Sequence, residues 1–175
     1  MTAHRTIATA SIALGVMACS APKPKDYVDS KRGVQLTYPA GWTVEELAAE
    51  DVLLLMSPVQ EANWQTNVFL EVRTDLDPSQ PVEQRLASVV ESLPSQKKGF
   101  SLVSSRALSH ASGLAGGELV YTHSSQGVPV TERELILWLP DNRILFVTAS
   151  ALTSLLAKYE GEINLILGSV RPVGQ

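Results

Sequence analysis

A chain of 175 residues, 45% hydrophobic and 18% charged, carries enough apolar material for one core, which excludes a wholly disordered protein. Its formal charge is −4 and no basic stripe stands out, so nucleic-acid binding has no electrostatic footprint. A single cysteine, Cys19, excludes an intramolecular disulfide, and no second apolar run reaches the ~20 residues that a spanning helix needs.

The first eighteen residues differ from everything that follows. Arg5, beside His4, precedes thirteen uncharged residues, TIATASIALGVMA. A basic start, a short apolar segment and small residues before a cut describe an export signal. Thirteen helical residues reach only about 20 Å, too short to cross a bilayer. Val16-Met17-Ala18-Cys19 then resembles the bacterial lipobox, a branched apolar residue, a variable one, a small one and the cysteine that receives lipid, with Val16 and Met17 departing from the commonest Leu-Ala/Ser form. Two other readings compete with it. Val16-x-Ala18 also suits ordinary signal cleavage, and the same residues could form a buried N-terminal helix. The lipobox is the expectation adopted, with residues 1–18 as signal peptide and Cys19 as lipidation site. Two or more acyl chains anchor a protein stably where one does not. Removing Arg5 takes the formal charge from −4 to −5, so lipid rather than charge must hold the mature chain.

Residues 19–31 are polar, with Pro22 and Pro24 and no apolar period, and read as a flexible tether; ordered structure is expected from near Gly33. In GVQLTYPAGWTVEE, Val34, Leu36 and Tyr38 alternate with polar residues before a Pro-Ala-Gly turn. DVLLLMSP suits a strand buried on both faces, and TNVFLEVRTD puts Val68, Leu70 and Val72 on one side. A helix follows, with Val82, Leu86, Val89, Val90 and Leu93 at helical spacing, Ser79 as its cap and Pro94 as its stop. Four more strand-like runs come next, broken by tight turns at Ser125-Gln126-Gly127 and Pro140-Asp141-Asn142, so those neighbours must be antiparallel. The closing stretch from Leu152 to Val170 has one broad apolar face, with Gly161 inside it at a cost of about 1 kcal/mol against alanine. About seven strands and two main helices predict an α+β domain over residues 32–175, with helices covering a mainly antiparallel sheet.

LTYPAGWTVEE, NVFLEVRT, the long stretch from Leu114 to Ala151 and the closing YEGEINLILGSVRP together resemble the PsbP/DcrB-like proteins. The resemblance covers nearly all of residues 32–172 and rests on structural motifs. It implies an αβα sandwich with a central antiparallel sheet, and members that bind other proteins rather than catalyse. It implies no shared active site.

Trp42, after a tight turn, and Trp138, in LILWLP, read as packing residues. Trp64, in the polar stretch QEANWQTN, is the one candidate for a partner contact, since aromatic anchors dominate many interfaces, although a loop folded on its own domain is the commoner reading. His110 and His123 lie too far apart on paired strands to share a metal ion, whose ligands sit at about 2 Å. Asp75 and Asp77 supply too few oxygens for calcium and read as capping groups. Glu45, Glu46, Glu50 and Asp51 read as a solvated face. No Gly-x-Ser-x-Gly elbow occurs, and the glycines of GLAGGE fit a hairpin bend rather than a dinucleotide loop. The expectation is an exported lipoprotein without catalysis, metal or cofactor. It is held by lipid on the periplasmic face of an outer membrane, or on the outer face of the cell membrane where there is one membrane. There it binds an envelope protein or supports assembly. A carrier or chaperone for apolar ligands is the alternative, and needs an open apolar groove between sheet and helix; a hydrolase comes third.

Overall fold

The computed structural model describes residues 22–47 and 51–174. Ten strands and two helices follow one another as β1 (Lys25–Asp29), β2 (Val34–Tyr38), β3 (Thr43–Leu47), β4 (Val52–Glu61), β5 (Trp64–Arg73), α1 (Val82–Gln96), β6 (Ser101–Ser109), β7 (Ala115–Ser125), β8 (Val128–Trp138), β9 (Ile144–Leu152), α2 (Leu156–Ser169) and the two-residue β10 (Arg171–Pro172). Seven strands form one antiparallel sheet in the order β3-β4-β5-β9-β8-β7-β6, and β1-β2-β10 form a smaller one. The α+β architecture expected from the sequence is the one observed.

Strand alternation divides the large sheet into two faces. On one, Leu53, Leu55, Val68, Leu70, Leu135, Leu137, Leu145 and Val147 meet Tyr159, Ile163, Ile166 and Leu167 of α2 together with Val34, Leu36 and Trp42. That side is a filled core, and Trp42 is a packing residue whose Nε1–H donates to Glu162 at 2.8 Å. On the other, Leu86 and Leu93 of α1 pack on Leu119, Tyr121, Ile136 and Ile144. The helix lies over β6 and β7. Its close approach explains Gly117, where a Cβ would stand 2.7 Å from the Leu86 methyls. Gly116 next to it would strike the Ile136 carbonyl. These two glycines therefore belong to the middle of the packing, not to a bend. The bend lies earlier, where Gly113 has φ +80° and His110 N–H donates to Leu114 O.

Several further expectations are corrected. The domain takes in Lys25–Asp29, because β1 pairs with β2 along its whole length. The reason is a buried ion pair that composition hides: Arg32 Nη1 lies 2.6 Å from Asp29 Oδ2, and Asp29 Oδ1 accepts the Arg32 backbone N–H, with both residues 2% exposed. Residues 25–31 are thus part of the domain, while residues 1–21, with Cys19 and the signal, lie outside the described residues. Helix α1 starts after Pro81 without a side-chain cap, since the Ser79 hydroxyl and N–H both donate to Asp77 Oδ1. Pro94 does not stop it. The helix runs on to Gln96, closed by Lys97 N–H on Leu93 O, with Leu93 buried beneath. The C-terminal helix begins at Leu156, because Leu152 ends β9 and a 3₁₀ turn spans Thr153–Leu155. Strand β4 is fully buried on one face only. Leu53, Leu55 and Ser57 are buried, whereas Val52, Leu54 and Met56 are half-buried, because α1 covers the far end of the sheet. The turns at Gln126-Gly127 and Asp141-Asn142 stand where the sequence puts them, with positive φ at Gln126, Gly127 and Asn142.

Candidate functional site

The register aligns Tyr121 of β7, Glu132 of β8, Ser150 of β9 and Asn67 of β5 in one row on the α1 side of the sheet. Leu119, Glu134, Thr148 and Phe69 form the next row. Because α1 sits toward β6 and β7, a groove of about 360 Å³ opens between the helix and these rows. Phe69, Glu71, Arg73, Tyr121, Glu132, Glu134, Phe146 and Thr148 make its floor. Arg85, Ser88, Val89, Ser92, Leu93, Gln96 and Lys97 make its roof.

The polar groups of the floor form a connected cluster. Glu132, 4% exposed, has both oxygens engaged: Oε1 accepts from His123 Nε2 at 2.8 Å and from Lys97 Nζ at 3.0 Å, and Oε2 accepts from Tyr121 Oη at 2.5 Å and again from Lys97. Lys97 thereby ties the C-terminal end of α1 to the sheet. Tyr121 Oη also lies 3.2 Å from Glu134 Oε2. The phenol proton is directed mainly at Glu132, whose contact is the shorter, and Glu134 Oε2 accepts the weaker share.

Electrostatics separate the two carboxyls. Burial pushes Glu132 up, but Tyr121, Lys97 and His123 together outweigh it and hold this carboxyl below its usual range. Burial also dominates at Glu134. With Tyr121 opposing and the Glu132 charge adding to it, the carboxyl is pushed up to about 7. Desolvation and the two glutamates drive the Tyr121 phenol upward, so it stays a neutral donor. The two buried carboxyls therefore titrate apart, Glu132 below its usual range and Glu134 at about 7. Among the described residues, two polar atoms on this side of the molecule are buried without a partner, Arg85 Nε in the groove roof and Ser150 Oγ beside Glu132.

The residues singled out from the sequence lie elsewhere. Trp64 is not in a loop: Ala62 and Asn63, both at positive φ, make a two-residue turn, and Trp64 opens β5 opposite Glu61. It borders a polar depression of about 330 Å³ with Gln60, Asn63, Gln65, Asn67 and Gln126, and its Nε1 is buried without an acceptor. His110 bonds to Leu167 O at the end of α2 and to Ser112, whereas His123 belongs to the groove cluster. Asp75 pairs with Arg73 at 2.7 Å. Of the acidic group, Glu46 accepts from Tyr27, Asp51 pairs with Lys31 and Arg32, and Glu50 lies outside the described residues. Reasoning from the sequence missed Tyr121, Glu132, Glu134 and Lys97. The available signal was VTERELILW, where Glu132 and Glu134 share a strand face with the apolar Val130 and Ile136.

No protein-family model matches the sequence, and no curated protein matches it. Solved structures do share the fold. LpqN, involved in cell envelope biogenesis of Mycobacterium tuberculosis, aligns with 15% identity over 87% of this chain and 86% of its own, at a TM-score of 0.61. Cyanobacterial PsbP from Synechocystis aligns with 13% identity over 90% and 97%, at 0.64. The Ran-binding protein Mog1p of Saccharomyces cerevisiae aligns with 8% identity over 86% and 96%, at 0.60. At these identities the likeness is one of fold: the chain has the architecture shared by PsbP, LpqN and Mog1p.

Proposed function

We propose that the protein is an exported, lipid-anchored and non-catalytic binding module of the bacterial cell envelope. Cys19 carries the anchor, and the groove beside α1 meets a protein partner. The observation that carries the binding role is the groove itself, open, concave and lined by six charged side chains next to a sheet face that α1 leaves half covered. Its charged floor argues for a polar partner over a wholly apolar cargo, because an apolar ligand there would strip water from Glu71, Arg73, Lys97 and Glu134 without replacing it. Glu132, engaged by three neighbours, acts as a brace between helix and sheet rather than as a poised base. The fold neighbour described as involved in cell envelope biogenesis supports the location.

Cells fed radiolabelled palmitate test the anchor. The wild-type chain takes up label and sediments with membranes, and Cys19→Ser loses both; a variant that still labels and stays in membranes overturns it. A photocrosslinker placed at Ser88, in the groove roof, tests the binding role. It should give one discrete adduct in cells, while the same group at Asn164 on α2 gives none; equal or absent adducts at both positions refute the assignment.

A further inference from the structure

We propose that the groove receives a primary alkylammonium group, with Glu134 as its counter-ion, Thr148 as a second acceptor and Phe69 and Phe146 as the surface for its carbon chain. This deepens the proposed binding role, and rests on that role only for what carries the amine.

Most charges around the groove already have partners. Lys97 of α1 neutralises Glu132 of β8. Glu71 of β5 lies 3.5 Å from Arg73, which also grips Asp75 through two bonds. Arg85 of α1 donates to the Asp77 carbonyl, and its charge falls on Asp75 and Asp77 at the groove's mouth. From β7, Tyr121 and His123 both contact Glu132. Glu134 is left. It is 7% exposed, lines the groove, and among the described residues has Tyr121 as its sole hydrogen-bond partner and no ion pair. Thr148, 2% exposed and its neighbour across β9, also lines the groove and makes no side-chain hydrogen bond among the described residues.

The chemistry of this unfilled position selects the ligand. One carboxyl is too few for a calcium ion, which takes about six or more oxygens. A guanidinium prefers both oxygens of a carboxylate in a planar fork, and Oε2 of Glu134 is taken by Tyr121. A compact ammonium needs only one carboxylate oxygen and a hydroxyl, which Glu134 and Thr148 offer. Phe69 stands beside Thr148 on β5, and Phe146 lies one row further along β9. Both are half-buried and line the groove, so a carbon chain approaching from the open side rests on two rings. Entry of the cation lets Glu134 ionise where burial otherwise keeps it protonated, so binding below neutrality must expel a proton.

Calorimetric titration of the purified full chain with n-pentylamine tests this. At pH 6 we expect saturable one-to-one binding with release of about one proton per amine, read from buffers of different ionisation heat. n-Pentanol, which has the chain without the charge, should not bind. Glu134→Gln should weaken the amine by about tenfold or more and abolish proton release; Thr148→Val should weaken it while leaving proton release intact. Matching urea midpoints of wild type and Glu134→Gln at pH 4.5, below the range in which their stabilities diverge, establish that the fold is unchanged. An N-acetyl-lysine methylamide arm identifies the source: binding of both probes points to a partner's lysine, and binding of pentylamine alone to a free amine. Absence of saturable binding to the wild type, equal binding by Glu134→Gln or by pentanol, or binding without proton release overturns the proposal. These outcomes are read on isolated protein, so they stand whatever the palmitate experiment returns.

Discussion

Substituting Glu134 by glutamine should stabilise the protein, and only on one side of neutrality. Glutamine keeps the size and the hydrogen-bonding reach toward Tyr121 but cannot ionise. In the folded chain the Glu134 carboxyl stands at about 7 against an ordinary 4.5. At about 1.4 kcal/mol per pH unit, that difference corresponds to roughly 3 kcal/mol. The sign follows from the direction. A carboxyl raised by folding stabilises the native state below its unfolded value, and this contribution is lost as pH rises through the folded one. Wild type and Glu134→Gln should therefore be nearly equal at pH 4.5, and the variant should gain steadily up to pH 8, by as much as about 3 kcal/mol. Glu132 does not confuse the window. Its carboxyl is lowered by folding, so its contribution is lost only as pH falls below the ordinary carboxylate range. Urea unfolding of both proteins at pH 4.5, 6 and 8 reads the difference directly. A gap that does not change with pH, or a variant less stable at pH 8, refutes the assignment of Glu134 as a buried, uncompensated carboxyl.

Three further outcomes concern the scaffold. Asp29→Ala leaves the buried Arg32 guanidinium with only the exposed Asp51 as carboxylate partner and should cost about 3 kcal/mol by chemical denaturation; a neutral result would return residues 25–31 to the role of a tether. Gly161→Ala should stabilise by about 1 kcal/mol, because a Cβ there meets nothing within 4 Å in the middle of α2. Gly117→Ala should destabilise in a thermal melt, because the same added carbon lands on Leu86.

The fold was largely legible because its signals are local. Alternation in β2 and β5, the Gln126-Gly127 and Asp141-Asn142 turns, and the apolar spacing of both helices each act over a few residues. What failed depended on individual side-chain contacts that no periodicity announces. Lys25–Asp29 looks like linker until Arg32 closes on Asp29. Ser79 looks like a cap until Asp77 takes its hydroxyl. Pro94 looks like a stop until Leu93 and Lys97 hold the last turn against the sheet. The groove was the least legible feature. Its members come from β5, α1, β7, β8 and β9, and strand register alone brings Tyr121, Glu132 and Glu134 together. The pattern of two glutamates on an otherwise apolar strand face was present in the sequence, but a reading tuned to known motifs passes over it.

Because β1 begins at Lys25, the proposed anchor leaves a very short leash. Only five residues lie between Cys19 and Lys25, and even fully extended the six steps reach about 20 Å, against about 45 Å had the chain been free to Arg32. The small sheet would ride close above the headgroups and could not swing far from them. A partner embedded in the same membrane would stand within range of the domain at all times, while one fixed across the compartment would have to come down to it.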